Sequence, residues 1–191
     1  MRQFGLLFFM VVGLRPDSSK LLEPYVDDLG ALTNGPKGAQ SLRHGALLLL
    51  GTTHPNIIPK AVPYLLGNLE DEANSSEETL TIAASLLEAF AANQEIIDKV
   101  VDFVKNRSDT GLTTGVLRQL GLMKSRDPHA LSLIRSNLDS ANPGIRYAAV
   151  DAVSRLDRDV RGQFARQVGR IATDDKESQE LRSMADAALT K

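Results

Sequence analysis

Apolar side chains recur along this chain at the three- and four-residue spacing of helix faces, in short stretches separated by turn-forming residues. Ile96, Ile97, Val100, Val101 and Val104 form one stripe, Leu131, Ile134 and Leu138 a second, and Val160, Phe164, Val168 and Ile171 a third. Breakers fall between the stretches: GTTHPN at 51–56, DEANSSEE at 71–78, NRSDTG at 106–111, KSRDP at 124–128, SANPG at 140–144 and TDDKES at 173–178. Asn142 before Pro143 reads as an N-cap followed by proline at the first helical position, where the missing N–H is no loss. Ser76, with Glu78 and Thr79 close by, is a weaker start. The pattern predicts helix pairs at 39–52/56–70, 76–92/94–106, 110–124/127–139 and 143–156/158–173, then an unpaired helix over 176–190. Upstream, 19–33 reads as the second helix of a pair whose first member would be residues 3–14. Pro63 should kink the helix drawn over 56–70, unless that helix begins later.

The first helices of the pairs share a register. Ile145-Arg146-x-x-Ala149-x-x-Ala152-Val153 matches Leu42-Arg43-x-x-Ala46-x-x-Leu49-Leu50 and Leu181-Arg182-x-x-Ala185-x-x-Ala188-Leu189, and Ile145 and Leu181 are 36 residues apart. Two further copies, Ala83/Leu86/Leu87 and Thr113/Val116/Leu117, fit by spacing and lack the arginine. A period of this size is the mark of a stacked helical repeat, in which each pair buries its apolar side on the next. Small residues such as Ala149 and Ala152 let the first helices approach closely, while larger side chains of the second helices fill the space between layers.

On Pro143, the Ile145-Arg146 pair, Ala149, Ala152 and Leu156, with partial echoes at 42–51 and 181–189, residues 39–191 resemble the HEAT repeat family. Armadillo-type repeats are the nearest competitor, although only two helices per unit are legible here, and vitellogenin-type lipid-transfer domains share the same build. The resemblance implies an all-α superhelix, a solenoid of four to six antiparallel helix pairs over residues 15–191, with the second helices on its concave face. It also implies that Arg43, Arg146 and Arg182 bond to carbonyls or carboxylates of a neighbouring repeat.

Composition agrees with helix-on-helix packing: aromatics are 5% of 191 residues and Trp is absent, so Leu, Ile, Val and Ala must fill the interior. The net charge of −2 is unevenly spread, with 7 Lys+Arg against 12 Asp+Glu in residues 1–100 (net −5) and 15 against 12 in 101–191 (net +3). Neither half has the basicity of a dedicated nucleic-acid binder. Absence of cysteine excludes disulfides, thiolate metal sites and a Cys nucleophile. Residues 1–14 hold Arg2 and an apolar run from Phe4 to Leu14, too short for a transmembrane helix. The run is the size of a signal-peptide core, with Val11 and Gly13 the best small-residue cleavage pair, or it is the first helix of the stack. Location depends on that choice: outside the cytoplasm for a signal peptide, cytoplasmic otherwise.

Catalytic patterns are poor. His44, His54 and His129 stand apart, without the His-Glu motifs of HEAT-like deoxyhypusine hydroxylases; His44 reads as a half-buried helix residue and the others as turn residues. Glu70-Asp71-Glu72 and Glu77-Glu78 flank a turn and read as solvated charge. TGLTTG at 110–115 lacks the lysine of a phosphate loop. Asn74-Ser75-Ser76 and Asn106-Arg107-Ser108 fit the glycosylation sequon, which matters only in a secreted eukaryotic protein.

Arg158, Arg166 and Arg170 fall within about a 120° arc of one helix, opposite the Val160/Phe164/Val168 stripe. They would meet an acidic peptide or phosphate, unless Asp157, Asp159, Asp174 and Asp175 neutralise them. The leading expectation is a non-catalytic protein-binding scaffold without cofactor or metal. Its surface would comprise Lys60, Tyr64, Asp98, Lys99, Asp102, Lys105, Arg135, Arg158, Arg166 and Arg170, and its partner would be a protein or peptide of acidic character. The rival is a HEAT-like enzyme or nucleic-acid-handling protein of the DNA glycosylase or bilin lyase type. A third reading makes the chain a piece of a longer helical protein, with a missing continuation, or dimerisation through the last helix, covering Leu181, Met184, Ala185 and Leu189.

Overall fold

The computed structural model describes residues 22–33, 40–52, 59–71, 74–91 and 93–190. The apolar N-terminal run over 1–14 and His54 lie outside these residues. Every regular element among the described residues is helical. The chain divides into two compact units, Met1–Phe90 and Ala91–Lys191.

In the first unit a 3₁₀ turn, Glu23–Tyr25, leads into α1 (Val26–Thr33), α2 (Gln40–Thr52), α3 (Ala61–Leu69) and α4 (Ser76–Ala89). Because α3 starts at Ala61, Pro63 falls in its first turn, where a missing N–H removes no helical bond and no kink is needed. The N-cap of α4 is Ser75, one residue before the expected Ser76. Its hydroxyl accepts from Glu78 N, and Glu78 returns a bond to the Ser75 N–H in a capping box. α1 packs on α2 and α3, and α4 on the same two helices. Leu22, Val26, Leu50, Leu65, Ile82 and Leu86 are fully buried there.

The second unit runs α5 (Gln94–Lys105), α6 (Thr110–Leu122), α7 (Pro128–Asn137), α8 (Pro143–Arg155), a one-turn α9 (Arg158–Arg161), a 3₁₀ turn Gly162–Phe164, α10 (Ala165–Thr173) and α11 (Gln179–Thr190). Polar caps start them as the sequence demands: Asn93, Asp109, Asp127 and Asn142 accept backbone N–H bonds from Ile96, Leu112, Ala130 and Gly144. α6, α8 and α11 lie side by side in chain order, and α5 lies against α7, so first helices contact first helices and second helices contact second.

Close approach of α6 and α8 depends on Gly121, since a Cβ at that position would lie 2.6 Å from Ala152 Cα and 3.0 Å from its carbonyl oxygen. Helix propensity alone favours alanine over glycine by about 1 kcal/mol. We expect the opposite sign here, with Gly121→Ala destabilising the chain by about 1–3 kcal/mol in urea denaturation because backbone must move. Gly67→Ala in α3, whose added Cβ would meet nothing within 4 Å, should be neutral or stabilising.

Three details differ from the sequence pattern. The stretch drawn as one helix over 158–173 is interrupted by the Gly162–Phe164 turn, which carries Phe164 wholly into the core. Three residues at about 120° instead of about 100° rotate α10 by about 60° relative to an unbroken helix, so the arc spanned by Arg158, Arg166 and Arg170 opens to about 180°. Second, Arg43, Arg146 and Arg182 are each the fourth residue of their helix, and Ala46, Ala149 and Ala185 the seventh. By that count the weaker copies were misaligned: Ala83 is the eighth residue of α4, and Thr113 is the fourth of α6. Third, α11 begins at Gln179, three residues later than the pattern drew it, and rests on the preceding pair. It packs on α8 and α10 and buries Leu181, Ala185 and Ala188, leaving Leu189 exposed and Met184 half-buried.

Candidate binding surface

The recurring arginines are fixed by the fold. In the first unit Arg43 Nε donates to the Thr33 carbonyl at 2.8 Å, closing the end of α1, while its Nη2 bonds Asp71 ahead of α4. In the second unit Arg146 Nη1 donates to the Ser140 carbonyl at 2.8 Å and Nη2 to Glu177 Oε2 at 2.7 Å, ahead of α11. Each arginine therefore ties the carbonyl before its own helix to the carboxylate before the next first helix. Arg182 bonds Asp175 in the loop preceding α11 instead. Where the arginine is missing, the same fourth position holds buried Thr79 and Thr113, whose hydroxyls donate to the Ser75 and Asp109 carbonyls.

Most of the expected surface is likewise engaged within its own unit. In the first, Lys60 is exposed just before α3, whereas Tyr64 lays its ring over Gly30 and donates its hydroxyl to Asp27 at 2.9 Å. That bond, more than burial, raises the Tyr64 pKa. In the second, Asp98 accepts from Gln94 Nε2 and faces His129 Nδ1. Lys99 pairs with Glu95 and Lys105 weakly with Asp102, at 2.9 and 3.9 Å. The Arg135 guanidinium lies 5.0 Å from the Phe164 ring centre, and Arg170 pairs with Asp139. His129, read as a turn residue, is the second residue of α7; His44 is half-buried in α2 as expected.

Arg158 and Arg166 remain exposed, with no side-chain bond or ion pair to any described residue. Three of the four acids expected to neutralise them are held by other cations, and the fourth, Asp174, accepts the Lys176 backbone N–H. Arg126 donates to Asp159 at 2.7 Å and to Asp157 at 2.9 Å, with Lys124 3.5 Å from Asp157. The Arg126 guanidinium holds both carboxyls below the usual aspartate range. Asp175 faces Arg182. Sequence reading missed Arg126, although it lies 31 residues before Asp157, the separation that also joins Asp98 to His129 and Asp139 to Arg170.

Glu78 is a correction of another kind, because it is a buried helix residue and not solvated turn charge. Burial pushes its carboxyl up, but the Ser75 N–H at 2.8 Å and hydroxyl at 2.9 Å, with the His44 ring 3.2 Å away, outweigh it and hold the pKa below its ordinary value. A carboxyl depressed by folding stabilises above its unfolded pKa, and that contribution is lost as pH falls through the folded value. Thermal melts should therefore drop below about pH 4.5 less steeply in Glu78→Gln than in the parent, while Ser75→Ala should cost about 1 kcal/mol at neutral pH.

Among the described residues no group of three or more His, Cys, Asp or Glu is placed to hold a metal ion. None of their helices is long and apolar enough to cross a membrane. No family model matches the chain, and no curated protein matches it. The crystal structure of an engineered protein is similar in fold, with a TM-score of 0.56 at 17% identity over 95% of this chain and 85% of that one.

Proposed function

We propose that the chain is a non-catalytic, HEAT-like helical-repeat scaffold that binds an acidic protein or peptide along its second helices. Two features support the repeat reading. Within each unit like helices pack on like, and an arginine at the fourth helical position closes the preceding connection in both units. The observation that carries the binding reading is the pair Arg158 and Arg166. Both guanidinium groups face water while the carboxylates nearest in sequence are held by Arg126. An arginine fork left without a partner in the fold is suited to bidentate carboxylate recognition from outside.

The test is pull-down from the source organism with the full chain and with Arg158→Glu/Arg166→Glu, neither of which removes a packed contact. Loss of a partner seen with the parent supports the reading, and undiminished capture removes these arginines from it. A parallel titration against duplex DNA addresses the rival. Low-micromolar binding that collapses steeply with salt would replace the protein-binding reading by a nucleic-acid one.

A further inference from the structure

An open cleft of about 470 Å³ lies in the second unit where the ends of α5 and α7 meet the starts of α6 and α8. That volume is in the range of small binding sites. Val104, Leu133 and Ile145 give it an apolar floor, and Lys105, Arg107 and Ser108 stand on one rim. The rim's charge is barely used. Arg107 rests on the Phe103 ring, 4.8 Å from its centre, with no carboxylate within ion-pair distance among the described residues. Lys105 has only the distant Asp102, and the Asp109 carboxylate caps α6. Two helix C-termini and two N-termini border the space, so their dipoles roughly offset and the side chains decide its sign.

A second cleft, of about 320 Å³, lies where the connection after α7 and the first turn of α8 meet the end of α10 and the connection before α11. It is neutral: Arg146, Arg170 and Lys176 face Asp139, Asp174 and Glu177, and two of those cations are bound to two of those acids. One cleft thus has its charge cancelled and the other has basic charge left over.

We propose that the first cleft seats an acidic peptide segment, with an Asp or Glu carboxylate on Lys105 and Arg107 and an apolar neighbour over Val104, Leu133 and Ile145. The inference rests on the protein-binding reading and gives the partner's contact a place and a chemistry. A peptide satisfies both halves of the cleft, since it can present carboxylate and hydrocarbon side by side. Bases would find no exposed ring for stacking, because Arg107 covers Phe103.

The probe is a fluorescein-labelled peptide of alternating Glu and Leu, titrated into the full chain at low salt and read by anisotropy. Lys105→Glu/Arg107→Glu should weaken it by about tenfold or more. Ser108→Glu, which disturbs no packed side chain, should weaken it in the same direction. A Lys/Leu peptide should not bind. Arg158→Glu/Arg166→Glu should leave the affinity within about twofold, which separates this seat from the Arg158 and Arg166 surface. Failure of the Glu/Leu peptide to bind overturns the cleft, as does binding indifferent to the cleft substitutions; the pull-down result stands or falls separately. Displacement by millimolar inorganic phosphate, or tighter binding of oligouridine, also overturns it, by making the site one for phosphate or RNA.

Discussion

Replacing Phe164 by alanine should destabilise the chain by about 3–5 kcal/mol, the largest effect expected of any single truncation here. The side chain is among the largest that are fully buried, and aromatics are scarce throughout the sequence. It enters the core from a 3₁₀ turn, with the Arg135 guanidinium over its ring. Truncation opens a void whose lining cannot close readily, since the neighbouring stripe of Val160, Val168 and Ile171 is already buried. Urea denaturation measures the loss, and Phe103→Ala supplies the contrast. Phe103 is half-buried beneath Arg107, so its removal should cost clearly less. A loss below about 1 kcal/mol for Phe164→Ala would mean that the turn around it can collapse, contrary to the packing described.

That turn also marks a limit of sequence reading. Val160, Phe164, Val168 and Ile171 satisfy an α period, and a three-residue 3₁₀ insertion changes the rotation without breaking the apolar spacing. The pattern therefore located the helix and its buried face but not its interruption. The helix start at Asn142-Pro143 was legible because a cap satisfies backbone groups locally, whereas Asp127, drawn inside its helix, is the cap that precedes it. The register of the first helices was legible only where arginine marks it. In α4 and α6 a threonine takes the fourth position, and spacing alone placed the alanine slot on the wrong residues.

The candidate surface was the least legible part, for a physical reason. Whether a charge is available depends on a partner about one helix pair away, and Asp98, Arg126 and Arg170 each meet theirs 31 or 33 residues off. Noting exposed charges along one helix cannot reveal this. Scanning for opposite charges at that separation would have found all three pairs and left Arg107 and Arg166 without one, but it would also have assigned Arg158 to Asp127, whose carboxylate in fact caps α7. Arg107 was overlooked because it lies in a connection and not on a helix face.

Arg146→Met should destabilise the chain by about 2–3 kcal/mol, somewhat less than the loss usual for breaking a fully buried ion pair. The discount reflects geometry: the arginine side chain keeps 19% of its exposure and Glu177 keeps 9%. Bonding to Glu177, partly opposed by burial, raises the arginine pKa, so the charge persists at any accessible pH. Removing it strands a carboxylate in a poorly solvated place and unties the Ser140 and Ala141 carbonyls as well. Glu177→Gln should also destabilise, and the double variant should cost less than the two single losses added together, because neither group is then left unpaired. Equilibrium denaturation of the four proteins gives the coupling. If it is zero, Arg146 acts only through the carbonyls, and the tie between the connection before α8 and the one before α11 is not an energetic one. The corresponding Arg43 has a more exposed acid, Asp71 at 40% against 9%, so Arg43→Met should show a smaller coupling with Asp71→Asn.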